Sequence, residues 1–92
     1  MSYLFIVKMD INRPFAHWAE HFDADAPNRE AGGVHCLFRH PVMGEQAVVF
    51  GMQTEDRRAV HDMMYHPDLR PMIEQSGLVI GSEQILVCDA SV

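Results

Sequence analysis

The chain has 92 residues, 48% of them hydrophobic, and its net charge is −6 because seven basic residues stand against thirteen acidic ones. This length allows one domain, residues 1–92, and such a domain buries only about 60–65% of its unfolded surface, so a partner chain is an obvious place to bury the excess of apolar side chains. The acidic balance, with Arg57-Arg58 as the only adjacent basic pair, argues against nucleic acid and anionic membranes as partners.

The first half of the chain predicts a strand, a helix and a second strand. Residues 3–10 are aromatic and β-branched, which is typical of a strand. A helix is expected over 13–24, started by Asn12 or Asp10, with one more turn after Asn28 closed by glycines. Its apolar residues recur at i, i+3, i+4 and i+7 and form one stripe: Phe15, Trp18, Ala19 and Phe22. The second strand is predicted at 34–40.

The second half of the chain predicts the same order of elements: a strand, a helix and a strand. A strand at 46–53 forms a hairpin with the preceding one, and Thr54 is a plausible N-cap for a helix over 55–65. Pro67 ends or kinks that helix before a further helical segment that Gly77 closes. The last strand is predicted at 83–89.

The order β-α-β-β-α-β predicts a ferredoxin-like α+β fold with a four-stranded antiparallel sheet. Right-handed crossovers place both helices on one face of that sheet. Alternation along the strands leaves both faces largely apolar, whereas a sheet with one open face should alternate apolar with polar. We therefore expect a second copy to cover the helix-free face, giving a homodimer that forms an α+β barrel.

The five residues His17 to His21 read HWAEH, which matches the H-x-x-E-H zinc signature of one group of peptidases. A helical projection turns both histidines away from the apolar stripe, and no third ligand is supplied locally. We expect a solvated helix face here, with no metal and no cofactor; a zinc-dependent hydrolase is the weak alternative.

Two cysteines, Cys36 and Cys88, form no C-x-x-C motif and are expected to be reduced and buried, with a disulfide or a thiolate site as the alternative. The longest apolar run, Tyr3–Val7, is too short for a membrane span or a signal peptide. We therefore expect a cytoplasmic protein.

Candidate catalytic residues are His35 and Arg39, which strand alternation would place on one face with Leu37 and which could hold and protonate an acidic small molecule. Their alternative role is interface hydrogen bonding. Five further residues are candidates for lining a pocket, with core packing, capping or solvation as their alternatives: Trp18, Phe22, His61, Tyr65 and His66.

The string FAHWAEHFD followed by REAGG, and HPDLRPM at residues 66–72, resemble the dimeric α+β barrel superfamily over nearly the whole chain. The resemblance is to small uncharacterised members and, more distantly, to antibiotic-biosynthesis-monooxygenase-like domains. It implies a pocket in each subunit between sheet and helices. The Asn, Trp and His set of haem-degrading members does not map, because the only tryptophan is Trp18. In YCII-like members a His is paired with the Asp of an Asp-Pro step. In this chain the residue before Pro67 is His66, so that pair is broken.

Two functions stay open on this basis. One is a small-molecule-binding domain without catalytic activity. The other is a metal-independent oxygenase or isomerase acting on a small organic substrate.

Overall fold

The computed structural model describes residues 1–92 and contains four strands with two helical regions, each divided into two helices. The strands are β1 (Tyr3–Asp10), β2 (His35–Pro41), β3 (Ala47–Thr54) and β4 (Gln84–Asp89). The helices are α1 (Phe15–Ala24), α2 (Ala26–Ala31), α3 (Arg57–Tyr65) and α4 (Arg70–Gln75). The predicted element order is confirmed. Pro27 stands in the first turn of α2, after the first break, and Pro67 lies within the second break, between α3 and α4.

The sheet is antiparallel with strand order β2-β3-β1-β4, as the ferredoxin-like prediction requires. Strand β1 lies in the centre and pairs in unbroken register with β3, from Tyr3 opposite Thr54 to Asp10 opposite Ala47. It pairs on its other side with β4. Strand β1 of the first βαβ unit therefore lies between the two strands of the second unit, and the helices lie on one side of the sheet.

The core lies between the helices and one face of the two central strands. Alternate residues of β1 and β3 are buried there, and the α1 and α3 side chains that meet them include the fully buried Trp18 and Val60. The strand residues of this core are Phe5, Val7, Met9, Val48, Phe50 and Met52. The predicted apolar stripe of the first helix is thus the face that packs on the sheet.

Two predicted helix caps are wrong. Helix α1 begins directly after Pro14, with no side-chain cap from Asn12 or Asp10. Helix α3 is capped by Asp56, whose carboxylate accepts a hydrogen bond of 2.9 Å from the backbone N–H of Arg58. Thr54 instead ends β3, where its hydroxyl accepts from the backbone N–H of Asp56.

A β-bulge in the edge strand β2 corrects the predicted strand faces. The pairing with β3 passes from Cys36 opposite Met52 to Phe38 opposite Gly51, so Leu37 is the extra residue. Beyond the bulge Arg39 stands opposite Phe50, which faces the helices, whereas His35 stands opposite Gln53 on the open face. The prediction that His35 and Arg39 share a face is therefore wrong.

The face opposite the helices has no cover from its own chain. Leu86 on this face is 63% exposed, and Leu37 at the bulge is 54% exposed. Cys36 and Cys88 are free thiols on the two edge strands, separated by β3 and β1. Both are partly exposed, which corrects the expected burial. None of the helices is both long enough and apolar enough to cross a membrane.

Candidate functional site

A half-open cavity of about 80 Å³ lies between the sheet and the helices. Its inner wall comes from β1, β3 and α1, and its outer wall from α3, α4 and the segment that follows α4. Most of the lining is apolar, including Met9, Trp18, Phe22, Phe50 and Leu78. Small-molecule sites are concave and mostly apolar with a few polar groups, and this cavity has that composition.

Three aromatic rings form the inner wall. The Trp18 ring centroid lies 4.7 Å from that of Phe22 and 5.8 Å from that of Phe50, and the latter two rings are 5.3 Å apart. Trp18 is fully buried. These tilted contacts fix the rings, so the inner wall is rigid.

The outer wall contains Met63, Met64 and Met72, from the short helices α3 and α4. These methionines are only partly buried or exposed. Unbranched thioether side chains change rotamer at little cost, so this wall can adapt to the shape of a ligand. The cavity therefore combines a fixed wall with an adjustable one.

Arg29 of α2 places a guanidinium in the cavity wall. The residue is only 6% exposed, and its Cζ lies 3.8 Å from the Phe22 ring centroid. Its nearest carboxylate, Asp25, is 3.7 Å away, beyond hydrogen-bond distance, and its buried Nε has no partner. Burial lowers the pKa of Arg29, with the charge of Asp25 opposing that effect.

Tyr65 and Glu83 join α3 to the turn before β4 at the edge of the cavity. The Tyr65 hydroxyl donates a hydrogen bond of 2.8 Å to Glu83, and both residues line the cavity. The pKa of Tyr65 is raised by burial and by this carboxylate. Burial raises the pKa of Glu83, but the hydrogen bonds from Tyr65 and from the backbone of Gly81 together outweigh it, so the pKa is lowered.

The histidines of HWAEH do not lie on a fully solvated face, which corrects the sequence interpretation. His17 donates through Nε2 to the carbonyl of Gln75 at 3.0 Å, so it ties α1 to the end of α4. His21 donates through Nδ1 to the carbonyl of His17 at 2.9 Å and lines the cavity. The α4 region covers this flank of α1, which a helical projection of α1 alone does not show. The protein contains no group of three or more His, Cys, Asp or Glu side chains placed to hold a metal ion.

The other candidates are dispersed. Trp18, Phe22 and Tyr65 line the cavity, whereas His35, Arg39, His61 and His66 do not. His35 pairs with Glu30 at 2.5 Å, and Arg39 makes two hydrogen bonds to Asp23, at 2.7 and 2.6 Å.

His61 and His66 are exposed on α3 and at its end. The backbone N–H of Asp68 donates to His66 Nδ1. A catalytic role for His35 with Arg39 stays a prediction, and the two residues lie on opposite faces of the sheet.

Sequence reasoning missed Arg29, His21 and Glu83 as cavity residues. A weak signal for Arg29 is its spacing, because it stands seven residues after Phe22, although it belongs to the next helix, α2. No local pattern marks Glu83, whose place depends on the path of the chain after α4. The cavity is also far below the roughly 300 Å³ of a pocket for a drug-sized ligand, so a haem does not fit.

Solved structures with the same fold cover nearly the whole chain. A proposed antibiotic biosynthesis monooxygenase from Bordetella bronchiseptica superposes with a TM-score of 0.73 at 11% identity, covering 99% of this chain and 98% of its own. SnoaB, a cofactor-independent oxygenase from Streptomyces nogalater, gives a TM-score of 0.65 at 14% identity, covering 99% and 94%.

A dimeric ferredoxin-like protein of unknown function from Jannaschia gives a TM-score of 0.62 at 12% identity, covering 98% of this chain and 100% of its own. At these identities the likeness shows the fold, which is that of the superfamily the sequence resembles. No family model matches the chain. No curated protein matches it either.

Proposed function

We propose that this protein binds a small organic molecule in the cavity between its sheet and its helices, and that it does so as a homodimer of the α+β barrel type. The observation that carries the proposal is the cavity itself: rigid aromatic side chains on one wall, methionines on the other, and a few polar groups at defined positions. Close-packed protein interiors leave few spaces larger than a water molecule, so a space of this size beside the core supports a binding role.

The size of the cavity limits the ligand. An engineered apolar cavity of about 150 Å³ binds benzene, and the present cavity has about 80 Å³. Without movement it therefore holds a group of a few heavy atoms, and a larger ligand must displace methionines or extend through the open side. A multi-ring substrate does not fit this conformation.

The proposal is tested by the fluorescence of Trp18, the only tryptophan, which lies in the cavity wall. A set of small fragments is titrated, and saturable emission changes are compared in the wild type, Leu78→Phe and Val79→Phe. Leu78 lines the cavity, whereas its exposed neighbour Val79 does not. We expect Leu78→Phe to abolish binding and Val79→Phe to retain it, with both variants folded by circular dichroism.

If no fragment gives a saturable signal with the folded wild type, the binding proposal is wrong. Equal loss of binding in both variants would also contradict it, because the effect would not then come from filling the cavity.

A second candidate function is a metal-independent oxygenase or isomerase. It is favoured by the oxygenase descriptions of two structural neighbours and by the presence of His21, Tyr65 and Glu83 around the cavity, since such groups can move a proton. The test is to incubate each fragment that binds with protein in air and to follow oxygen uptake and product mass. Turnover that His21→Ala or Glu83→Gln removes, with binding retained, would assign an enzyme; ligands recovered unchanged would leave a binding protein.

A further inference from the structure

The buried guanidinium of Arg29 lacks the partners that such a group requires. Its side chain is 5% exposed and forms no hydrogen bond, while Asp25 stays 3.7 Å away. A buried charge without good hydrogen bonds costs several kcal/mol, so native proteins satisfy nearly all such groups. Arg39 of β2 shows the contrast, because its guanidinium makes two short hydrogen bonds to Asp23.

Contacts within the chain stabilise the guanidinium of Arg29 only in part. One face of its guanidinium stacks on Phe22, which stabilises the charge by a cation–π contact. That contact uses the flat face of the group and leaves the buried Nε–H bond, which lies in its plane, without an acceptor. Burial also lowers the pKa of this arginine, because its surroundings disfavour the charged form.

We propose that the ligand of the cavity is a small monocarboxylic acid, whose carboxylate binds Arg29 and whose apolar part lies against Trp18, Phe50 and the methionines. The inference rests on the proposed binding function and names its ligand class. A carboxylate matches the planar fork of a guanidinium and supplies the hydrogen-bond acceptor that Asp25, 3.7 Å away, does not.

The other charges around the cavity favour one negative charge on the ligand and disfavour two. Asp25 and Glu83 both line the cavity, and Glu83 is held by Tyr65 and the Gly81 backbone. A second carboxylate on the ligand would be desolvated near these groups, whereas an apolar tail is not. The remaining titratable group of the lining is His21, whose Nδ1 is bound to a backbone carbonyl.

The test compares acids with neutral molecules of the same shape. Butyrate and butyramide, and benzoate and benzamide, are titrated against the wild-type protein at pH 7, with Trp18 fluorescence and calorimetry as readouts. Hydrogen bonds to a charged group contribute about 1.5–3 kcal/mol, so each acid should bind about 10–100-fold more tightly than its amide. Succinate, with two charges, should bind more weakly than butyrate.

Arg29→Gln should remove this preference and leave amide binding unchanged, whereas Arg39→Gln, the matched control outside the cavity, should retain the preference. Should Arg29→Gln fail to fold, the Arg29 Nε–H resonance of ¹⁵N-labelled wild-type protein provides the second test, since saturating butyrate must shift it by more than saturating butyramide does.

Binding of an acid and its amide with equal affinity, or an unchanged preference in Arg29→Gln, would overturn the carboxylate assignment and leave the binding proposal intact. If no acid and no amide binds while other fragments fill the cavity, the assignment is equally wrong. Only a failure of every tested molecule to bind in the cavity would contradict both the carboxylate assignment and the binding proposal.

Discussion

Gly51 of β3 shows how one residue without a side chain shapes the open face of the sheet. It stands opposite Phe38 of β2, and a Cβ at position 51 would lie 2.3 Å from the Phe38 ring. The ring of the edge strand therefore lies across the glycine, in the space that a side chain would occupy. Glycine within a strand often marks such a close approach.

Replacing Gly51 by alanine should destabilise the protein by about 1–3 kcal/mol, the usual cost of overpacking. The ring is partly exposed and can move, so the lower half of that range is expected. Urea denaturation at one fixed protein concentration measures the effect. In a Phe38→Ala background the same substitution should cost little; an equal cost there would show that contact with the ring is not the cause.

The bidentate pair of Asp23 and Arg39 makes stability depend on pH in a defined direction. Hydrogen bonding to Arg39 lowers the pKa of Asp23 below its ordinary value of 3.8 in the folded protein, against a small opposing effect of burial. A lowered carboxyl pKa gives stability that is complete above the unfolded value and is lost as pH falls through the folded value. The acid limb below about pH 4 is therefore where this pair acts.

Arg39→Gln should lower the melting temperature modestly at pH 6 and by progressively less as the pH falls, because protonation of Asp23 removes the pair in the wild type. Melting curves of the two proteins between pH 2.5 and 7 measure the difference. The pair is largely solvent-exposed, so salt should reduce the effect. A difference that grew as the pH fell would contradict the assignment.

At the scale of elements, the order of strands and helices could be predicted because hydrophobic period and proline positions are local signals. The bulge at Leu37 could not, since no glycine or other turn residue marks it and the strand pattern continues through it unchanged. For that reason strand alternation wrongly predicts one shared face for His35 and Arg39. The cavity could not be predicted from local sequence patterns either, because it depends on how α4 and the following segment pack against α1.

The link between α1 and α4 gives the HWAEH histidines a structural role that can be measured. His17→Ala removes the hydrogen bond to the Gln75 carbonyl and should cost about 0.5–1.5 kcal/mol of unfolding free energy. The exposed neighbour Glu20 is the control, and Glu20→Ala should change stability by less than about 0.5 kcal/mol.

The zinc interpretation of the same motif gives a different result in the same experiment. One equivalent of zinc should leave the melting temperature of the wild type unchanged if His17 serves only to join the two helices. A rise that His17→Ala abolishes would restore the metal site and require a ligand from outside this helix.

At the scale of the whole molecule, a single chain buries few of its apolar residues. Only 12 hydrophobic residues of the 92-residue chain are buried, and β4 is exposed on most of both faces, with Leu86 63% exposed. Because every helix lies on one side of the sheet, the uncovered side chains of the open face lie side by side; they include Leu4, Ile6, Phe38 and Leu86. A contiguous apolar face of this kind is typical of a subunit interface.

Leu86→Glu should therefore convert the proposed dimer into a monomer. A carboxylate at this position is solvated on a lone chain but is buried without a partner when two sheets face each other, at a cost of several kcal/mol. Met43→Glu is the control, because Met43 lies in the loop between β2 and β3 and is 97% exposed. Sedimentation and native mass spectrometry at micromolar concentration should show a dimer for the wild type and Met43→Glu, and a folded monomer for Leu86→Glu. A monomeric wild type, or a dimer unaffected by Leu86→Glu, would mean that this face is not the interface. The fragment titrations would then measure binding to a cavity that a single chain forms without that interface.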